Sequence, residues 1–258
     1  MEDIQNHKDD RNIDINQVGV KGIRYPITVL DKDMGEQQTV AEINMYVNLP
    51  RYYKGTHMSR FVEILNEHDR RISIHNFTEI LEEMKQRLDA ESAHMKITFP
   101  YFINKKAPVT GADGLMEYKC ALKGSLNNGS DLIVMIYVPI STLCPCSKEI
   151  SKYGAHNQRG EVRLQVRFQK FVWIEDLIKL VEQSASSDVY SVLKREDEKY
   201  VTERAYDNPM FVEDIVRDIA VKLNKDSNIT WFTVESENFE SIHNHNAYAY
   251  IEKRKTPK

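Results

Sequence analysis

The chain has 258 residues, of which 29% are charged and 41% hydrophobic, and its formal net charge is −4 at pH 7. This length suits one large domain or two of about 130 residues each, and the acidic balance argues against a protein whose main task is to coat nucleic acid. Because no apolar run approaches the roughly 20 residues that cross a bilayer and the three cysteines form no disulfide framework, we expect a cytoplasmic protein with free thiols and with no membrane or nucleic-acid partner.

The first half of the chain predicts an arm followed by two strands, two helices and two strands. Residues 1–17 are polar and mixed in charge, which indicates a disordered N-terminal arm. Residues 18–30 are predicted as a strand interrupted near Gly22, and a turn at residues 33–36 leads into the second strand. Ser59 is predicted as the N-cap of the first helix. The apolar positions that define the later elements by their strand or helix spacing are Ala41, Ile43, Met45, Val47, Leu49, Phe61, Val62, Ile64, Leu65, Phe77, Ile80, Leu81, Met84, Leu88, Met95, Ile97, Phe99, Tyr101, Met116, Tyr118, Cys120 and Leu122.

After a turn signal at residues 127–130, the same order of elements begins again. Pro209 is predicted in the first turn of the second helix of this half. The charged residues 193–203 are predicted as a solvated loop. The elements predicted here are strands at residues 132–140 and 162–168, helices at about 174–184 and 209–223, and strands at 229–234 and 247–251.

Residues 18–127 and 128–258 therefore predict two modules of the order β-β-α-α-β-β. The expected fold class is α+β, in which each module forms an antiparallel sheet with its helices on one face. The other face of such a sheet has to be covered or solvated. Sheets of this kind commonly associate into larger barrels across subunits, which also removes exposed edges.

The segment after the strand at residues 132–140 holds the residues best suited to chemistry. Cys144 and Cys146 stand one residue apart, a spacing at which both thiols rarely bind one tetrahedral ion, so we expect one ligand and one bystander. His156 follows ten residues after Cys146, close enough for one loop to return both to one site. Cysteine with histidine suits a borderline-soft metal such as zinc, and imidazole also suits harder ions. The alternatives are buried, inert thiols and an ordinary surface histidine.

Two further histidines, His243 and His245, precede the last predicted strand. Residues two apart share a face of an extended chain, so both rings can face one pocket, although a solvated loop is an equal alternative. Glu213 lies near the start of a predicted helix, where an acid also favours the helix dipole. The chain has no Walker-type or Gly-x-Gly-x-x-Gly loop, so phosphate binding falls to side chains. The basic candidates are His57, Arg60, Lys105, Lys106, Lys148, Arg159, Lys194 and Arg195.

Four segments together resemble the type IB GTP cyclohydrolases, within the GTP cyclohydrolase I family. The resemblance runs from about Val18 to Ile251 and keeps the four motifs in order. The segments are K-G-T-H-M-S-R-F from Lys54, L-C-P-C-S-K-E-I-S-K-Y-G-A-H-N-Q-R from Leu143, D-E-K-Y-V-T from Asp197 and V-E-S-E-N-F-E-S-I-H-N-H from Val234.

The resemblance implies a fold, an assembly and a reaction. The fold is the tunnelling fold, with two β-β-α-α-β-β modules in each chain, and the assembly is a homotetramer with active sites at subunit interfaces. The reaction converts GTP and water to 7,8-dihydroneopterin triphosphate and formate, the entry step to folate. It needs a divalent metal, for which manganese, iron and zinc are all plausible because a mixed ligand set selects no single ion.

Residue roles follow from the matched motifs. The implied metal ligands are Cys144, His156, Glu198 and His243. Glu213 is the implied guanine anchor, because a carboxylate accepts two hydrogen bonds from the guanine edge. Water activated by the metal attacks carbon 8 of guanine, and a histidine near the metal passes protons as the ring opens. The implied catalytic residues are Cys144, Cys146 and His245, and the expected substrate-binding residues beside Glu213 are His57, Arg60 and Arg159.

Two other functions remain open at the level of sequence. A related tunnelling-fold enzyme reduces a nitrile with NADPH through a covalent cysteine and needs no catalytic metal. A non-catalytic binding module held together by a metal is the second alternative, and it predicts that chelation unfolds the chain.

Overall fold

The structure is a computed structural model that describes residue 5, residues 7–68 and residues 71–255. Two compact units divide the chain. The first comprises Met1–Pro100 and Ala121–Ile133, and the second comprises Tyr101–Cys120 and Val134–Lys258. The predicted modules at residues 18–127 and 128–258 are contiguous, whereas each compact unit takes two segments of the chain.

The first unit is built on a long hairpin with two helices. In the hairpin, a register shift between Val20 and Ile23 contains Gly22, whose φ of 74° confirms the predicted interruption. Gly35 opens the second strand with a φ of 83°, a value that favours glycine. The elements are β1 (Ile15–Asp31), β2 (Gly35–Leu49), α1 (Met58–Glu67) and α2 (Phe77–Arg87), with parts of β3 (Ala93–Lys106), β4 (Asp113–Leu126) and β5 (Ser130–Leu143).

Two predictions about the first unit need correction. The N-cap of α1 is His57, not Ser59, and its side chain makes no capping hydrogen bond. The predicted arm at residues 1–17 overlaps β1, which begins at Ile15. Of the rest of that arm, residues 1–4 and 6 lie outside the described residues. The carbonyl of His7 accepts a hydrogen bond from the Lys54 N–H at 3.0 Å, so the described part is tied to the first unit.

The second unit contains an antiparallel sheet and four helices. Within it the strands are hydrogen-bonded in the order β3-β4-β5-β6-β8-β9, and β7 pairs with β5. The β5–β6, β6–β8 and β8–β9 pairs are antiparallel. The new elements are α3 (Pro145–Ile150), β6 (Asn157–Phe168), α4 (Ile174–Glu182), β7 (Ser187–Asp188), α5 (Arg195–Asp207), α6 (Val212–Lys225), β8 (Ile229–Asn238) and β9 (Ala247–Arg254).

The predicted solvated loop at residues 193–203 is wrong, because a helix, α5, occupies most of it. Only Asp197 and Ala205 of this helix are buried, so its sequence lacks the apolar stripe that identifies a packed helix. Pro209 is also misplaced by the prediction. It stands before Phe211, the N-cap of α6, and not in the first turn of the helix.

The core of the second unit lies between the sheet and the helices. Along β5 and β6 the buried residues alternate with half-exposed ones, and α6 packs on β8 and β9 through Ile215, Ile219 and Leu223. This confirms the predicted α+β class with helices on one face of an antiparallel sheet. In the described part of the chain, no helix has the length and apolar character needed to cross a membrane.

Candidate functional site

The ends of two paired strands bring Cys144 and His156 together. Leu143, the last residue of β5, pairs with Asn157, the first residue of β6. The two residues just beyond that pair then meet, and the Cys144 N–H donates to the His156 carbonyl at 3.1 Å. One loop therefore returns both residues to one place, as predicted from their spacing.

Ser147 fastens this loop from inside. Its hydroxyl donates to the Cys144 carbonyl at 3.1 Å and accepts from the His156 N–H at 3.2 Å. Its own N–H donates to Cys144 Sγ at 3.4 Å, so the sulfur caps the short helix α3. Three hydrogen bonds through one residue hold the Cys144 sulfur and the backbones of Cys144 and His156 in a fixed relation.

The imidazole of His156 is oriented by its neighbours. Nδ1 lies 2.9 Å from Gln158 Oε1 and 3.3 Å from Ser241 Oγ. Gln158 in turn donates from Nε2 to Thr142 Oγ1 at 2.9 Å. With Nδ1 engaged, Nε2 is the nitrogen left for a ligand.

Helices α5 and α6 are joined to the same strand end. The Met210 N–H donates to the Leu143 carbonyl at 3.1 Å, which sets the approach to α6 beside Cys144. Glu213 stands in the first turn of α6 with an exposed carboxylate. Lys148 Nζ donates to the Tyr206 carbonyl and lies 4.2 Å from the centre of the Tyr206 ring, so α3 contacts α5. Lys148, a candidate for phosphate binding from the sequence, is thus engaged with Tyr206.

Glu198 lies in the first turn of α5, and that turn is anchored by its buried neighbour Asp197. The Asp197 carboxylate accepts from the Val109 and Thr110 N–H groups at 2.8 and 2.9 Å, from the Thr110 hydroxyl at 2.6 Å and from the Lys194 N–H at 2.9 Å. Burial alone would raise the pKa of Asp197, but the hydrogen bonds outweigh it and hold that pKa well below its ordinary value. The carboxylate of Glu198 itself is exposed.

His243 and His245 stack on each other in the segment before β9. Their ring centres are 5.1 Å apart with an interplanar angle of 18°, and both residues are exposed. The stacking confirms that the two rings share one side of the chain.

The structure joins Cys144 to His156 but does not complete the predicted ligand set. Among the described residues, no group of three or more His, Cys, Asp or Glu side chains stands close enough to hold a metal. Glu198 and His243 therefore stay predicted ligands. Cys146 is an exposed free thiol on α3.

The predicted substrate-binding residues are spread over both units. His57 and Arg60 belong to the first unit, where Arg60 donates to the Arg87 carbonyl at 3.0 Å. Arg159 lies on β6 in the second unit with an exposed side chain. Their role in binding substrate stays a prediction.

Lys105, another basic candidate, has a structural role instead. Its ammonium lies 2.7 Å from Glu182 Oε1 and 3.2 Å from Asp188 Oδ2, and it sits over the Tyr190 ring. The Tyr118 hydroxyl donates to the same Glu182 oxygen at 2.6 Å. Lys105, Tyr118, Glu182 and Asp188 are among the residues that line a cavity of about 570 Å³ in the second unit. A lysine so paired is not available to a phosphate.

Ser147, Gln158 and Asp197 shape the site but were not singled out from the sequence. Each acts through backbone groups or through another side chain, and such contacts leave no periodic pattern. The signals in the sequence were positional. Ser147 lies three residues after the candidate ligand Cys144, Gln158 two residues after the candidate ligand His156, and Asp197 directly before Glu198.

Comparison with known proteins adds a second line of information. The family model described as type I GTP cyclohydrolase folE2 matches residues 1–249. The chain is 65% identical over 257 residues to GTP cyclohydrolase FolE2 of Syntrophobacter fumaroxidans, covering 99% of this chain and 100% of that protein. It is 63% identical over 254 residues to GTP cyclohydrolase FolE2 of Syntrophus aciditrophicus, covering 98% and 100%.

Solved structures similar to this one are much more distant in sequence. A uricase from Arthrobacter globiformis aligns with a TM-score of 0.55 at 6% identity over 94% of each chain. A mutant urate oxidase from Bacillus sp. TB-90 aligns with a TM-score of 0.56 at 8% identity, over 93% of this chain and 100% of the other. At such identities the likeness concerns the fold alone.

Proposed function

The chain belongs to the type I GTP cyclohydrolase FolE2 family, and we propose that Cys144 and His156 hold the divalent metal on which its reaction depends. The protein is a GTP cyclohydrolase of folate biosynthesis, which converts GTP and water to 7,8-dihydroneopterin triphosphate and formate. The observation that carries the metal proposal is the loop in which Ser147 holds the backbones of Cys144 and His156 together and donates to the Cys144 sulfur.

The donor chemistry of this loop fits a divalent ion. A thiolate with an imidazole suits manganese, iron and zinc to different degrees, and the Nδ1 contact of His156 leaves Nε2 as the donor. When bound, such an ion supplies a water of lowered pKa for attack on carbon 8 of guanine. We assign Glu198 and His243 as the further ligands because their segments resemble the family motifs; near His243, Ser241 Oγ lies 3.3 Å from His156 Nδ1.

Glu213 is proposed to bind the guanine. A carboxylate accepts two hydrogen bonds from guanine, one from N1–H and one from the N2 amino group. Adenine places the lone pair of N1 beside its amino donor, so the carboxylate selects guanine. Glu213 stands in the first turn of α6, three residues after Met210, whose N–H donates to the carbonyl of Leu143, the residue before Cys144; this supports the proposal.

The remaining roles concern protons and phosphates. His245 is proposed to pass a proton as the ring opens, because it stacks on the proposed ligand His243. Cys146 is assigned a supporting catalytic role, since its thiol is exposed on α3, the short helix that follows Cys144. His57, Arg60 and Arg159 are proposed to bind the triphosphate through side chains.

We also propose that the protein works as a homotetramer of tunnelling-fold chains with its active sites at subunit interfaces. Large apolar side chains stand exposed around the Cys144–His156 loop, among them Ile150, Tyr153 and Ile242, and Tyr153 is 98% exposed. Exposed apolar groups of this size favour a protein partner. β1 and β9 end the strand order, so each offers an edge for pairing. The likeness to urate oxidases supports the fold assignment.

Paired substitutions test the metal assignment. Cys144→Ala and Glu198→Gln are expected to lower both bound metal and formate release from GTP by at least about 100-fold. Glu196→Gln, an exposed acid in the same first turn of α5, is the matched control and is expected to leave both near wild type. Metal content and turnover at wild-type levels in Cys144→Ala would overturn the assignment.

A further inference from the structure

Two buried side chains stand behind the imidazole of His156, away from the solvent. Thr142 is fully buried and Gln158 is 8% exposed. They face each other across the β5–β6 ladder, where Thr142 pairs with Gln158. Residues directly opposite on an antiparallel pair are in side-chain contact, which explains their 2.9 Å hydrogen bond.

The strand geometry also explains the contact with His156. His156 and Gln158 are two residues apart at the start of β6, and residues two apart on an extended chain point to the same face. The Gln158 amide therefore lies between the Thr142 hydroxyl and the His156 ring, with contacts of 2.9 Å on both sides.

The direction of these hydrogen bonds decides which nitrogen of His156 is available. The amide NH₂ of Gln158 donates to Thr142, so its Oε1 is turned to the ring. A carboxamide oxygen only accepts, and Nδ1 must then carry the proton. Nε2 is left with its lone pair, which is the form of imidazole that binds a metal.

We propose that Gln158, held by Thr142, is a positioning residue that fixes the tautomer and the orientation of His156 for metal binding. This inference rests on the proposed role of His156 as a ligand. Partners of metal-bound histidines in this position commonly contribute 10- to 100-fold to metal affinity. Because the pair is buried, water cannot readily replace the lost acceptor.

The test uses full-length protein and Zn²⁺ alone, titrated against a chromophoric chelator. Gln158→Leu is expected to weaken Zn²⁺ affinity by about 10- to 100-fold, and Thr142→Val to weaken it less, in the same direction. Gln158→Glu keeps an acceptor towards Nδ1 and is expected to restore affinity to within about threefold of wild type. Thr233→Val, which changes a buried threonine of β8 that pairs with Gln165, is the matched control and is expected to change little.

The second readout is the tautomer itself. Nitrogen-15 NMR of the metal-free protein is expected to show His156 protonated at Nδ1 in the wild type and in Gln158→Glu, and a mixture of tautomers in Gln158→Leu. Circular dichroism confirms that each variant is folded, and if Gln158→Leu fails to fold, Thr142→Val and Gln158→Glu carry the test.

The outcomes separate this inference from the metal assignment. If His156→Ala binds Zn²⁺ as tightly as wild type, the ligand proposal fails. If His156→Ala weakens binding while Gln158→Leu and Thr142→Val do not, the positioning role fails alone. Loss of Zn²⁺ affinity in a folded Gln158→Glu protein would also overturn it, because glutamate keeps the acceptor for the Nδ1 proton and removes only the amide donor.

Discussion

Replacement of Ser147 by alanine tests whether one hydroxyl sets the relation between the thiol and the imidazole. The change removes a donor to the Cys144 carbonyl and an acceptor for the His156 N–H. The two losses are unequal. The Cys144 carbonyl still accepts from the Lys148 N–H at 3.2 Å, whereas the His156 N–H loses the partner it has in Ser147 Oγ.

The expected cost follows from that difference. A buried donor left unsatisfied costs about 1–3 kcal/mol, and His156 is only half-buried, so the lower part of the range, about 1–1.5 kcal/mol, applies. In a protein of this size such a change lowers Tm by roughly 2–6 °C. Metal affinity is expected to fall by about 10-fold or more, because the fixed spacing of the two ligands is lost.

The assay pairs thermal unfolding with Zn²⁺ titration of the same samples. Ser151→Ala is the matched control, since Ser151 lies at the other end of α3, is exposed, and accepts through its hydroxyl from the Tyr153 N–H at 3.3 Å. The control is expected to leave affinity unchanged. Unchanged Zn²⁺ affinity in a folded Ser147→Ala protein would show that the Ser147 hydroxyl does not set the spacing of the two proposed ligands, even if Tm falls as expected.

Three further predictions concern other parts of the second unit. Glu213→Gln replaces one acceptor oxygen with a donor and is expected to weaken GTP binding by roughly 5- to 150-fold in equilibrium titration; unchanged affinity would leave Glu213 as a helix-end acid only. Lys105→Met is expected to destabilise the fold by about 3–5 kcal/mol in urea unfolding, because it leaves the Glu182 carboxylate buried without its cation; a cost below about 1 kcal/mol would contradict this. Asp197 has a lowered pKa in the folded state, so its contribution to stability is present above its ordinary pKa of about 3.8 and is lost as pH falls further. Asp197→Asn is expected to be less stable at pH 7 and to lose less stability on acidification, and an acid unfolding curve parallel to that of the wild type would speak against it.

Much of the fold was predictable because its strands have one buried face. The alternation of Ala41, Ile43, Met45 and Val47 corresponds to four buried positions of β2. Helix α5 was not predictable in this way. Its first turn is anchored by four hydrogen bonds to Asp197, three of them from the distant residues Val109 and Thr110, and such contacts leave no apolar period in the sequence.

The site was predictable only in part, because sequence spacing locates residues of one loop but not residues of distant segments. The spacing of Cys144 and His156 sufficed to place them on one loop, since the pairing of β5 with β6 closes that loop. Glu198 and His243 lie far apart in sequence on exposed segments, and spacing carries no information on whether such segments meet. Their place in the ligand set depends on motif resemblance, and their side chains gather no metal group among the residues that the structure describes.

Removal of the metal tests whether a bound divalent ion is needed for catalysis and not for folding. Formate release from GTP is measured before chelation, after chelation to verified metal-free protein, and after return of manganese, iron or zinc, with circular dichroism and light scattering at each stage. Because the described units bury their own apolar cores, we expect turnover to stop on chelation while secondary structure and the oligomer persist. Because a mixed ligand set selects no single ion, each returned ion is expected to restore activity to a different extent. Turnover that continues in metal-free protein, or a chain that unfolds on chelation, would contradict it.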